Sequence, residues 1–289
     1  MSQNWLITGS SSGFGASLAL AALHAGHKVL ATARNPSTAS LQNPEITSLG
    51  GIWIPLDVNH PDTPSQIQSA ITTHFDGIID VVVNNAGYSL LGSIEDMSES
   101  EIESQFNTNV YGPIRVLKGV LPFMRKRRTG TVVNISSSAG VDGAPGCAVY
   151  AGSKFALEGM SESLSKELQP FGIRVLLVEP GYFRTNFFSA FVEPAAGLNA
   201  DYVGTPVEAA LNLIKAKHGK QEGDPDKAAR RILEVVTGTG MAEGREDLKG
   251  YLRVPLGPDC WKRFSGKIDG VKQNLEIMKE IAHSTNFDE

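Results

Sequence analysis

Cysteine is scarce: the 289 residues include two, Cys147 and Cys260. Two thiols so far apart build neither a disulfide framework nor the paired ligand spacing of a zinc site. They fit a reducing compartment. The six histidines (24, 27, 60, 74, 218 and 283) form no HExxH or related cluster, so no metal site is expected. An excess of one charge is also missing. The formal net charge is −5 with 20% charged residues, which excludes a nucleic-acid scaffold or a polybasic membrane binder. No apolar run approaches the ~18 residues of a membrane span. No charged segment leads into an apolar one near the start, as a secretory signal would. The expectation is a cytosolic protein without nucleic-acid or membrane partners. A hydrophobic content of 41% supports a sizeable core and excludes disorder.

Glycine is the residue in excess. Thirty glycines in the chain are about 10%, against a usual ~7%, so particular backbone positions must call for them. Over the first 180 residues, short β-branched runs alternate with helical patterns. Strands are expected at Trp5–Thr8, Lys28–Thr32, Ile52–Leu56, Ile79–Val83, Thr131–Ile135 and Val175–Glu179. Helices are expected at Gly13–Ala25, Ser65–Phe75, Ser98–Lys126 and Tyr150–Gln169. The strands are continuous apolar runs such as Val81-Val82-Val83, the pattern of strands covered on both faces. The fold class is therefore α/β, a Rossmann-type, doubly wound parallel sheet with helices on both faces.

Beyond Pro180 the composition changes. Residues 182–204 carry Phe183, Phe187, Phe188, Phe191 and Tyr202 without a clear period. Helical patterns follow at Pro206–Lys217 and Asp226–Thr237, then a short run, Tyr251–Val254, that suits a last strand. In Pro258–Ser284, Trp261, Phe264, Ile268, Val271, Leu275, Met278 and Ile281 recur at spacings of three and four, which predicts a C-terminal helix. No linker-like stretch intervenes, so residues 1–289 read as one domain with a C-terminal helical extension.

Thr8-Gly9-Ser10-Ser11-Ser12-Gly13-Phe14-Gly15 follows the first strand and opens the first helix. Glycines there permit a tight turn and close approach to a pyrophosphate, and the helix N-terminus offers free N–H groups. The spacing is GxxxGxG. Further along come Asn84-Asn85-Ala86-Gly87, Asn109, Ser137, Tyr150-x-x-x-Lys154 and Pro180-Gly181. With these motifs in this order, the sequence resembles the short-chain dehydrogenase/reductase family, over roughly residues 4–190 by motif.

The resemblance implies a metal-free oxidoreductase with a nicotinamide cofactor. An acid at the tip of the second strand would bond the ribose of NAD, whereas an arginine would pair with the 2′-phosphate of NADP. The tip reads Ala31-Thr32-Ala33-Arg34-Asn35, which makes Arg34 the expected phosphate ligand and NADP(H) the expected cofactor. By resemblance, Gly9, Ser11, Ser12, Gly13, Phe14 and Gly15 form the phosphate loop. Asp57 and Val58 meet adenine, and Asn85, Ala86 and Gly87 lie against the ribose. Pro180, Gly181, Phe183 and Thr185 hold the nicotinamide end. Ser137 stands thirteen residues before Tyr150, the family spacing of the catalytic serine, which leaves structural roles for Ser136 and Ser138. Asn109 would bond backbone and a water linked to Lys154.

Tyr150 and Lys154 are four apart on one helix and share a face. A neighbouring ammonium is expected to lower the tyrosine pKa from ~10. Cys147 is expected to line the pocket without reacting, and residues 182–204 to form an apolar lid. The leading expectation is reduction of a carbonyl, or oxidation of the alcohol, on an apolar small molecule. The alternatives are an NAD-linked alcohol dehydrogenase of the same fold and a catalytically silent dinucleotide-sensing module. By resemblance, the Ser98–Lys126 and Tyr150–Gln169 helices pair copies into a homodimer or homotetramer.

Overall fold

Seven parallel strands in the order β3-β2-β1-β4-β5-β6-β7 form the centre of the computed structural model. The structure describes residues 1–188 and 190–287, without the side chains of Phe188 and Lys249. The expectation placed on the Phe188 side chain therefore lies outside the described residues. The strands are β1 (Asn4–Ile7), β2 (Lys28–Ala33), β3 (Ile52–Pro55), β4 (Val81–Asn84), β5 (Gly130–Ile135), β6 (Ile173–Pro180) and β7 (Arg253–Leu256). The helices are α1 (Gly13–His24), α2 (Pro36–Gln42), α3 (Pro44–Ser48), α4 (Thr63–Phe75), α5 (Glu99–Phe106), α6 (Gly112–Arg127), α7 (Ala148–Leu168), α8 (Pro206–Lys217), α9 (Pro225–Thr237) and α10 (Pro258–His283). Among the described residues, no helix is long and apolar enough to cross a membrane.

Side chains alternate across each strand and feed two cores. Trp5, Ile7, Ala31, Val83 and Val133 pack with α1 and with Ala229, Ile232 and Leu233 of α9. Leu6, Leu30, Val82 and Val132 face the opposite way, onto Ile67 and Ile71 of α4 and Val116 and Val120 of α6. The strands are apolar throughout because both faces are covered. β1 pairs with β2 on one side and β4 on the other. Strand order reverses there, and the crevice above the strand ends is where such sheets bind ligands.

Two expectations need correction, and one stretch holds elements that the sequence did not signal. The Ser98–Lys126 helix is not continuous: α5 and α6 are joined by a wider π turn, Asn107–Tyr111. Two short helices fill the stretch after β2, with Asn35 capping α2 through Thr38 N–H and prolines opening both. The last strand lies two residues later than Tyr251–Val254, as β7, at the sheet edge where Pro255 needs no ladder partner.

Candidate active site

A cavity of about 1130 Å³ opens over the carboxyl ends of β1 to β6. The phosphate loop forms its floor. Gly9 has φ +67°, and a Cβ there would stand 2.9 Å from Ala86 Cα. A Cβ on Gly15 would collide with the carbonyl of Gly9, so neither position admits a side chain without moving backbone. Ser12 precedes α1 in an extended conformation and makes no side-chain cap, and no acid sits in the first turn. The positive end of α1 therefore faces the cavity uncapped, as an anion site requires. Thr8 ties the loop to β4, its hydroxyl accepting from Asn85 and Ala86 N–H at 3.0 Å. The Asn85 amide returns the link to the carbonyls of Thr8 and Gly9.

Arg34 projects from the end of β2 into the same cavity, exposed and without a hydrogen bond or ion pair among the described residues. Asp57 and Val58 line the next wall. One Asp57 carboxylate oxygen accepts from Asn59 N–H at 3.0 Å. Ser11, Ser12, Gly13, Phe14 and Gly87 line the cavity too. Opposite them come Pro180, Gly181, Phe183 and Thr185. Phe183 meets Phe14 edge-on at 5.1 Å between ring centroids. Thr185 Cβ lies 3.4 Å from where a Cβ on Gly13 would stand, so the loop after β6 closes onto the phosphate loop. These residues present a cradle with the shape and charge for a dinucleotide.

Ser137, Tyr150 and Lys154 also meet here. Ser137 lies two residues beyond β5, its hydroxyl accepting from Ala139 N–H at 3.1 Å. Tyr150 and Lys154 are 8% and 6% exposed. The Lys154 ammonium donates to Ile135 O at 2.8 Å and lies 6.0 Å from the Tyr150 ring centroid. Burial pushes the Tyr150 phenol up to about 12, against hydrogen bonding from Ser137, with Cys147 raising it further and Arg263 opposing. Burial also draws Lys154 down to about 8, opposed by Glu158. The expected lowering of the tyrosine by the lysine is thus reversed. Desolvation penalises the phenolate and the ammonium alike, and at this separation it wins.

Asn109 sits in the π turn. Its amide donates to Tyr88 O and Ser153 Oγ at 3.0 Å each, and its carbonyl oxygen accepts from Tyr88 N–H at 3.2 Å. The expected bond to backbone is present. Ser138 accepts from Arg263 at 2.9 Å, a structural use of that hydroxyl. Cys147 lines the cavity, and burial raises its thiol above the ordinary value, which keeps it protonated and unreactive.

Phe187 and Phe191 of the stretch 182–204 pack with Leu91, Tyr150, Leu211 and Ile214. The stretch is pinned across the opening by Ala195 N–H on Glu101 and Asn199 N–H on Asp96, at 2.8 and 3.0 Å. Sequence reasoning missed three contributors. Gln105 holds Leu90 N–H and Tyr88 O. Asp259 accepts from Tyr182 N–H at 2.7 Å. Arg263 lines the cavity from α10. Only Gln105 left a signal, four residues before Asn109 on one helical pattern.

Residues 3–195 match the family model described as short chain dehydrogenase. The chain belongs to the short-chain dehydrogenase family. Among its relatives, the oxidoreductase claN of Passalora fulva is 51% identical over 212 residues, covering 73% of this chain and 95% of claN. A short-chain dehydrogenase structure from Streptomyces avermitilis is 36% identical with a TM-score of 0.85, covering 99% of this chain and 100% of the other. A metagenomic short-chain oxidoreductase crystallised with NADP is 26% identical with a TM-score of 0.66, covering 88% and 96% of the two chains. This short-chain dehydrogenase is accordingly an oxidoreductase with a nicotinamide dinucleotide site.

Proposed function

We propose that this enzyme reduces a carbonyl group of an apolar small molecule with NADPH, and oxidises the corresponding alcohol in reverse. The observation that carries the reading is a tyrosine held protonated at the wall of an apolar cavity. With its pKa near about 12, Tyr150 has a proton to donate throughout the neutral range. Bound reduced nicotinamide supplies the hydride. Tyr150 gives its proton to the substrate oxygen, and the Ser137 hydroxyl donates a hydrogen bond to the same atom, steadying its developing charge. Lys154 holds the ribose hydroxyls beside Gly87, and Asn109 fixes the backbone of Tyr88 next to them.

Gly9, Ser11, Ser12, Gly13, Phe14 and Gly15 take the pyrophosphate, and Arg34 takes the 2′-phosphate. Asp57 and Val58 receive adenine; Asn85, Ala86 and Gly87 receive the ribose. Pro180, Gly181, Phe183 and Thr185 bracket the nicotinamide. Residues 182–204 act as the lid that excludes water, and the whole chain, 1–289, works as one unit. Copies pair through α5–α6 and α7, where Tyr111 and Phe155 are exposed.

A carbonyl and alcohol panel with both cofactors, read by nicotinamide absorbance, tests the reading. Tyr150→Phe should lower turnover by roughly 10²–10⁴-fold, the scale of general acid catalysis, with NADPH affinity nearly unchanged. Arg34→Ala should weaken NADPH by about 1.5–3 kcal/mol, the scale of a charged hydrogen bond, and leave NADH alone. Equal affinities for the two cofactors in the unmutated enzyme would overturn the NADPH assignment. Full turnover in the phenylalanine variant would overturn the role of Tyr150.

A further inference from the structure

Helix α10 spans 26 residues, about 39 Å at 1.5 Å per residue. Its first turns are built into the enzyme. Cys260 is buried with its thiol on Glu179 O, Asp259 holds Tyr182 N–H, and Arg263 reaches Ser138 and Asp142. Beyond Phe264, every residue to Phe287 is exposed. Most helical stability in proteins comes from packing of an amphipathic face, which this stretch does not have within its own chain, and Gly266 and Gly270 weaken it further.

What the helix exposes is ordered. Trp261, Phe264, Ile268, Val271, Leu275 and Met278 alternate at three and four without a break. Trp261, Leu275 and Met278 are 68%, 66% and 53% exposed. Ile281 flanks the stripe and Ile277 lies off it. A strict seven-residue repeat is the seam of a helix pair, narrower than the face a helix lays on its own core.

We propose that α10 pairs antiparallel with α10 of a second copy of this chain. One register sets Trp261 against Met278 of the other copy, Phe264 against Leu275 and Ile268 against Val271. The two-fold axis repeats each contact, so all six positions meet apolar partners. The charges select the same arrangement. Parallel pairing would bring Lys267 to Lys272 of the other helix, and the antiparallel register one heptad away would set Lys272 against itself. The proposed register places Lys267 near Asn274 and Lys272 near Ser265. Covering the stripe on both copies removes on the order of 1,000 Å², where stable interfaces begin. Along α10, Lys262, Arg263, Lys267, Lys272 and Lys279 stand against Asp259, Asp269, Glu276 and Glu280. That near balance does not favour an anionic lipid surface. Together with pairing through α7, a second isologous contact closes a tetramer.

The test compares the full chain with a Leu275→Lys, Met278→Lys double variant by size-exclusion chromatography with light scattering. Both positions are exposed, and circular dichroism checks that the fold is kept. The unmutated assembly should have twice the mass of the variant. Oxidation should link copies of a Phe264→Cys, Leu275→Cys variant but not of Leu275→Cys alone, with the unmutated chain as background. Equal masses would overturn the proposal, as would linking by the single variant, which reports parallel helices. So would an unmutated monomer that binds phosphatidylserine vesicles through α10.

Discussion

Burial sets the charge of the Tyr150–Lys154 pair, and its consequences can be measured. Lys154, drawn down to about 8, is charged below that value and neutral above it. If its ammonium holds the ribose, NADPH affinity is constant from pH 6 to about 8 and weakens above. Tyr150 adds no break in that range. A fluorescence titration across pH checks this, and Lys154→Met should abolish the dependence. Glu179 is the second case. Arg253 lies 2.6 Å from Glu162, 3.0 Å from Glu158 and 3.5 Å from Glu179. One cation cannot neutralise three carboxylates, and Glu179 is fully buried and the farthest. Burial and the neighbouring Glu158 push it from 4.5 to about 9. Between those values the folded protein keeps a proton that the unfolded chain has lost, so stability falls as pH rises through the window. Glu179→Gln cannot titrate. Its Tm should exceed that of the unmutated protein at pH 8 and decline less from pH 5 to 9, at roughly 2–4 °C per kcal/mol. Parallel Tm curves for the two proteins would refute a protonated Glu179.

The π turn between α5 and α6 carries Asn109, one helical turn beyond Gln105, both buried and both clamping residues 88–90. Leu90 then bridges to Val192 in the stretch 182–204. Gln105→Ala leaves the buried Leu90 N–H unpaired, while Tyr88 O keeps its bond from Asn109, a cost of about 1–3 kcal/mol. Chemical denaturation should show that loss, with faster proteolysis within residues 182–204; an unchanged midpoint would refute the clamp. Local chemistry made the strands, the phosphate loop and the face shared by Tyr150 and Lys154 legible in the sequence, because each rests on a short spacing. The π turn was not legible, since widening a helix by one residue leaves the apolar pattern nearly intact. Arg263 was hidden because its partners, Ser138 and Asp142, lie more than a hundred positions away. The direction of the Tyr150 shift depends on burial, which spacing does not report.

At the scale of the whole molecule, the reversal of strand order between β1 and β4 gathers the cradle from six strand ends. Any ligand it holds must stabilise the fold as a unit. At about a hundred times its Kd, NADPH should add about 2.7 kcal/mol, a rise of roughly 5–10 °C in Tm for a chain of this size. A larger rise with NADH at the same concentration would contradict the role given to Arg34. The sheet also sets an order of assembly during synthesis. Strands β1 to β4 and the glycine loop leave the ribosome within the first 90 residues, whereas β7, Asp259 and Arg263 belong to the last 40. A nascent chain therefore has the glycine-loop side of its nucleotide cradle long before it can finish the wall made by α10. A truncated product would bring the first without the second.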